Sequence, residues 1–144
     1  MSVLPDGLPK PVPMADGLDA PFWQGLAEER LLIQRCRSCA SWQWGPEWIC
    51  HRCHSDDVGY EAVEPRGVIY SYERVWHPVH PALRDGVPYV VVLVEIDHAG
   101  VRLVGNLIGR PEDDVQIGAP VRGVFEHHGS GEEAFTLLQW ECVQ

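Results

Sequence analysis

Cys36-Arg37-Ser38-Cys39-Ala40-Ser41-Trp42-Gln43-Trp44-Gly45-Pro46-Glu47-Trp48-Ile49-Cys50-His51-Arg52-Cys53 is the stretch whose reading decides the fold. It holds two C-x2-C pairs separated by ten residues. Each pair is a tight turn that aims two thiolates at one point. Two such knuckles facing each other supply the four soft ligands of a tetrahedral shell, with metal–sulfur bonds of about 2.3 Å. The intervening residues then fold back as a short hairpin carrying Trp42, Trp44 and Trp48. Metal-free buried cysteines are the bland alternative, and iron suits a four-sulfur shell as well as zinc does. A catalytic metal keeps a position open for water, whereas Cys36, Cys39, Cys50 and Cys53 close the shell. The expectation is therefore a structural zinc that staples a segment too small to bury its own core. His51 and His54 adjoin the second knuckle but are left out of a shell already complete.

Working outward, Leu31 to Arg35 reads as a strand entering the first knuckle, and Asp56 to Gly59 as a hinge leaving the second. Upstream, residues 1–21 carry five prolines and read as an extended arm. Asp19 before Ala20-Pro21-Phe22-Trp23 signals a helix over roughly 20–29, with Phe22, Trp23 and Leu26 on its apolar face. Downstream the chain reads as all-β. Strands are expected at 67–75, 89–96, 101–107, 121–126 and 134–142, with a polar loop at 127–133. Five strands between Gly- and Pro-marked turns suggest a closed barrel, because closure removes exposed edges. The expected segments are 1–33 for arm and helix, 34–58 for the metal ribbon and 59–144 for the barrel.

The whole-chain arithmetic narrows the function classes. The 144 residues fit one ordinary domain or two very small ones. The formal charge is −10 at pH 7, with one lysine and ten arginines. Only the ribbon is positive, through Arg35, Arg37 and Arg52 against Glu47. Four thiolates around a divalent ion cancel that excess. No basic groove for a polyanion is visible, so nucleic acid is not the expected partner. The apolar run Val90–Val94 is too short to span a bilayer, and the first residues lack the pattern of a secretory signal. A cytoplasmic location without membrane contact is expected. Cys142, far from the knuckles, reads as a small buried hydrophobe.

These residues resemble a known family. Phe22-Trp23 on a short helix, Leu31 to Cys39, Pro46, Cys50 to Cys53 and Gly67-Val68-Ile69-Tyr70-Ser71 match it in order. So do Pro88 to Val92 and Ile117 to Val121. Together they are similar to the DUF35 proteins over about residues 18–143. The resemblance implies a rubredoxin-like zinc ribbon followed by a five-stranded OB-fold barrel. It also implies a non-catalytic partner of thiolase-fold enzymes: thiolases, acyltransferases and steroid side-chain aldolases of the lipid-transfer type. Such a module braces its partner and helps form the channel for a CoA thioester. Some relatives work with a MaoC-like hydratase. A dimeric thiolase-fold partner would give a two-plus-two heterotetramer.

No catalytic constellation accompanies this. Trp76-His77-Pro78-Val79-His80-Pro81 follows the first barrel strand, where an OB-fold places a ligand-facing loop. His77 and His80 could contact a CoA phosphate or act as a base, but no carboxylate or nucleophile sits at a spacing that would orient them. They read as a proline-stiffened loop, and His127-His128 as solvated. Arg74 and Arg84 are candidate pyrophosphate donors on charge alone. Phe22 and Trp23 are the expected partner anchors, because six tryptophans are hard to hide in so small a chain. Two alternatives stand beside the accessory subunit: a nucleic-acid-binding ribbon/OB protein, and an independent acyl-CoA-binding protein.

Overall fold

The computed structural model describes residues 12–14, 17–110 and 112–143. Most of the expected N-terminal arm lies outside these residues. Helix α1, Ala20–Ala27, opens with proline in its first turn. Asp19 does not cap it; its carboxylate accepts instead from the Trp23 indole, at 2.8 Å. The helix is shorter than expected because Glu29 turns into the left-handed region at φ 56°. Arg30 N–H then donates to Gly25 O at 2.8 Å, closing the C-terminus. Phe22, Gly25 and Leu26 are buried. A Cβ on Gly25 would lie 2.8 Å from Arg30 O, so the chain reverses here by close approach of backbone.

Strand β1, Leu31–Cys36, is central in a three-stranded sheet. On one side it pairs with the two-residue β2, Trp42–Gln43. On the other it pairs along its whole length with β3, Val58–Val63. β3 begins inside the expected hinge at 56–59, so the chain leaving the second knuckle re-enters the ribbon sheet directly. The segment boundaries expected after residues 33 and 58 fall inside β1 and at the first residue of β3.

The remaining strands are β4 Arg66–Val75, β5 Tyr89–Ile96, β6 Arg102–Asn106, β7 Pro120–His128 and β8 Phe135–Cys142. All pairs are antiparallel, in the order β6-β5-β4-β7-β8. A parallel bridge between Leu107 and Trp140 brings the two ends of the sheet together, with Ile108 N–H on Trp140 O at 2.7 Å. This is the ring order of an OB-fold. β5 alternates half-buried and buried from Tyr89 to Ile96, as a strand with one core face must. At Gly67 a Cβ would meet Glu95 O at 2.1 Å, so β4 and β5 approach where no side chain fits. β4 pairs with β7 only over Arg66–Val68. Beyond that, Ile69 bonds Gly118 and Ala119, and a loop replaces the strand.

One apolar cluster runs through everything. Ile69, Val92, Val94, Leu103, Val121 and Trp140 of the barrel join Phe22 and Leu26 of α1 and Leu31 and Ile33 of β1. Two expectations need correction. β7 extends through His128, because His127 pairs with Thr136 and His128 with Phe135. Cys142 is exposed, since β8 reaches solvent at its last residue.

Candidate metal centre and its surroundings

Both knuckles are built alike. Cys36 N–H donates to Ser41 O and Ala40 N–H to Cys36 O, each at 2.9 Å. In the second, Cys50 N–H donates to Ser55 O at 2.8 Å and His54 N–H to Cys50 O at 3.0 Å. Ala40 and His54, four residues after the first cysteine of each turn, both adopt positive φ, 61° and 62°. Backbone N–H groups also point at sulfur: Cys39 N lies 3.5 Å from Cys36 Sγ, and Arg52 N 3.4 Å from Cys50 Sγ. Ser38 and Ser55 hydroxyls join the two turns at 2.8 Å.

The sulfurs of Cys36, Cys39, Cys50 and Cys53 all lie within 4.8 Å of one another. The Cys36–Cys53 and Cys39–Cys50 separations are both 3.6 Å. Sulfurs bound tetrahedrally at about 2.3 Å would stand about 3.8 Å apart, so the cluster fits one ion of that kind. The protein's own field divides the thiols. Ser41, through its hydroxyl and then its backbone N–H, pulls Cys39 down to about 6. The Ser55 backbone N–H favours the Cys53 thiolate, but desolvation and the neighbouring sulfurs outweigh it and push Cys53 up to about 12. Four sulfurs this close resist full ionisation, and a divalent cation removes the conflict.

A pair that sequence reading missed stands beside the knuckles. Gln34 and Gln43 are register partners on β1 and β2, and they are 2% and 5% exposed. Gln43 Nε2 donates to Gln34 Oε1 at 2.5 Å. Gln34 then holds both backbone groups of Glu47, taking its N–H at 3.0 Å and donating to its carbonyl at 2.9 Å. Gln43 donates to Ile49 O at 3.2 Å and accepts from His51 N–H at 3.0 Å. The His51 ring also turns to Gln43, Nδ1 to Oε1 at 3.0 Å. The only sequence signal was a polar residue breaking the apolar alternation between Ile33 and the first knuckle.

The three ribbon tryptophans have separate fates. Trp42 lies under the Arg35 guanidinium, 4.7 Å from ring centroid to Cζ. Trp44 packs on Phe22 with centroids 4.5 Å apart. Trp48 is 75% exposed. Phe22 is buried in its own chain and Trp23 is half-buried, so only part of Trp23 is left to face a partner. Those two, with Trp44, Val91, Val104 and Gln139, line an apolar groove of about 680 Å³ where helix, ribbon and barrel meet.

The loop after β4 does not assemble a catalytic group among the described residues. Trp76 and His77 are exposed. His80 Nδ1 accepts from Ala82 N–H at 3.1 Å, capping the 3₁₀ turn Pro81–Gly86. Arg84 stands exposed on that turn. Arg74 donates to Asp113 O at 2.7 Å, tying β4 to the loop before β7. The expectation that His127 and His128 are solvated is overturned for His128, which is largely buried; His127 is exposed, as expected, but has partners. His127 bridges Glu29 and Thr136, each at 2.9 Å, and so links the turn after α1 to the β7–β8 hairpin. His128 bonds the buried Glu126 and stacks on Phe135 with centroids 5.1 Å apart.

Comparison with known proteins agrees with this architecture. Residues 23–59 match the family described as "ChsH2, rubredoxin-like zinc ribbon domain" and residues 60–126 the one described as "ChsH2, C-terminal OB-fold domain". A solved structure described as an Ltp2-ChsH2(DUF35) aldolase superposes with a TM-score of 0.74 at 35% identity, covering 90% of this chain and 98% of that one. A DUF35 protein from Sulfolobus solfataricus, at 14% identity and TM-score 0.60, shares the fold over 89% of this chain and 87% of that one. A "DUF35 domain-containing scaffold protein" of Methanocaldococcus jannaschii is 29% identical over 72% of this chain and 73% of its own. A "probable enoyl-CoA hydratase alpha subunit" of Thermomonospora curvata is 41% identical over 72% of this chain. A "3-oxo-4,17-pregnadiene-20-carboxyl-CoA hydratase alpha subunit" of Mycobacterium tuberculosis is 32% identical over 84% of it. The chain spans only about a third of the length of these two hydratase-named relatives, 32% and 37%. With its four-cysteine ribbon, its five-stranded OB-fold and a relative matched almost end to end, this chain belongs to the DUF35 family of ChsH2-type zinc-ribbon/OB-fold proteins.

Proposed function

We propose that this chain is a zinc-bearing, non-catalytic accessory subunit of an acyl-CoA-processing complex. Its partner is a thiolase-fold protein of the lipid-transfer type, and the chemistry belongs to that partner. The observation that carries the reading is the near-complete match to the ChsH2(DUF35) chain of an aldolase, 98% of that chain at 35% identity. The absence of an oriented base or nucleophile in the described 76–88 loop supports it. In this role Cys36, Cys39, Cys50 and Cys53 hold a structural zinc, which fixes the ribbon against α1 and the barrel. Arg74, Trp76, His77, His80 and Arg84 lie on the side of the barrel proposed to border the CoA-thioester channel. A two-plus-two assembly is the expected stoichiometry.

Tagged chain expressed in its host should retain a stoichiometric thiolase-fold partner, identified by mass spectrometry. The pair, and not either chain alone, should turn over a CoA thioester. Recovery of a folded, metal-loaded chain by itself would sink the reading. The two hydratase-named relatives favour one second arm of the same experiment: a MaoC-like hydratase among the retained proteins.

A further inference from the structure

An exposed tryptophan is ordinarily free to fold back, and the other two ribbon tryptophans do pack. Trp48 cannot. The backbone on both sides of it is held by the buried glutamines: Glu47 by Gln34 at N–H and carbonyl, Ile49 and His51 by Gln43. Between Ile49 and His51, Cys50 is fully buried in the cysteine cluster. Two buried amides and a metal ligand thus fix a five-residue span whose outward side chains are Trp48, 75% exposed, and Ile49, 48% exposed. Among the described residues no ring contact or side-chain hydrogen bond engages Trp48. A loop whose backbone is already held loses little backbone freedom on docking, and tryptophan is enriched among the residues that dominate interface energetics.

We propose that Trp48, flanked by Ile49, is the anchor by which the ribbon docks on a protein partner, and that Gln34 and Gln43 are positioning residues that hold it out. The proposal rests on the accessory-subunit reading and names the contact within it. Charge selects the class of partner. The ribbon is the one positive segment, but Arg35 and Arg37 are paired with Glu61 and Asp57 and Glu47 sits beside Trp48, so the loop offers an apolar side chain rather than a cationic surface for nucleic acid or anionic lipid. The loop is also continuous with the helix side of the molecule, since Trp44 at its start packs on Phe22 of α1.

The test is calorimetric titration of the full chain with the thiolase-fold protein it retains. Trp48→Ala should keep its metal content and melting temperature and lose about 30-fold or more in affinity. Trp48→Phe should recover most of that loss. Gln43→Leu should keep the metal, speed amide exchange at His51 and weaken binding. The double variant with Trp48→Ala should bind no worse than Trp48→Ala alone. Additive losses would overturn the positioning role, and a Trp48→Ala affinity within two-fold of wild type would overturn the anchor. Trp48-dependent binding to phosphatidylglycerol vesicles would overturn the choice of a protein partner. If wild type binds no thiolase-fold protein, the accessory reading itself fails and takes this proposal with it.

Discussion

Gln34 and Gln43 illustrate what a single residue decides in this protein. Each amide meets the other and two backbone groups of the 47–51 span. Removing one leaves buried donors and acceptors unpaired, which costs about 1–3 kcal/mol. Gln34→Leu and Gln43→Leu are each expected to lose that much in denaturant unfolding of the metal-loaded chain. The double variant should lose less than the sum, because both act in one network. Tyr60 decides another contact, donating to Leu18 O at 2.5 Å and so tying the turn before α1 to β3. Burial, and then the charge of Asp19, push its phenol up to about 12. An unfolded tyrosine titrates near ~10. Its contribution is therefore whole below about pH 10 and is lost as pH rises through about 12. Tyr60→Phe should flatten the alkaline limb of a stability–pH curve over that window. At this scale the clustering of the four cysteines was legible from spacing alone. The glutamines were not, since a polar residue on a strand reads as solvent-facing until its partner across the sheet is known.

At the scale of elements, β1 shares the barrel's apolar cluster, whereas the turns that carry the four cysteines lie at its margin. β2 is two residues long and pairs only with β1, and no residue of either C-x2-C turn belongs to the apolar cluster. Chelation should therefore raise amide exchange at Ala40, Cys50 and His54 to unprotected rates, while β5 and β7 remain protected. Lowering pH from 8 toward 5 should weaken metal retention progressively, because protons compete for the thiolates; a colorimetric chelator assay reads this. The barrel strands were legible because β-branched apolar runs such as Val90 to Val94 stand between Gly- and Pro-marked turns. β3 was not. Val58-Gly59-Tyr60-Glu61 has glycine and charge where a strand signal wants apolar residues, and it is a strand because β1 supplies a partner along its full length. The β7–β8 hairpin grew by two residues for a similar reason: His127 and His128 find partners in Thr136 and Glu126 that local patterning does not reveal.

Across the whole molecule, α1 joins what the sequence divided into three. Leu26 is 1% exposed and lies in the same cluster as Leu31 of the ribbon sheet and Leu138 of the barrel. Leu26→Ala should cost about 2–5 kcal/mol. Because the site touches both parts, the unfolding midpoints of ribbon and barrel should fall together, as followed by exchange mass spectrometry. A fall confined to one part would show that the core is not shared.

The brevity of β2 has a consequence for how the chain behaves in a crowded solution. On the side nearer the cysteine cluster the outermost strand of the ribbon sheet, β2, is only two residues long, whereas the opposite edge is the six-residue β3. A strand that short is a poor template for a stray chain to add to. The aromatic side chain held out in water thus stands next to the short edge of the ribbon sheet, and not along the six-residue ladder that β3 forms at the opposite edge.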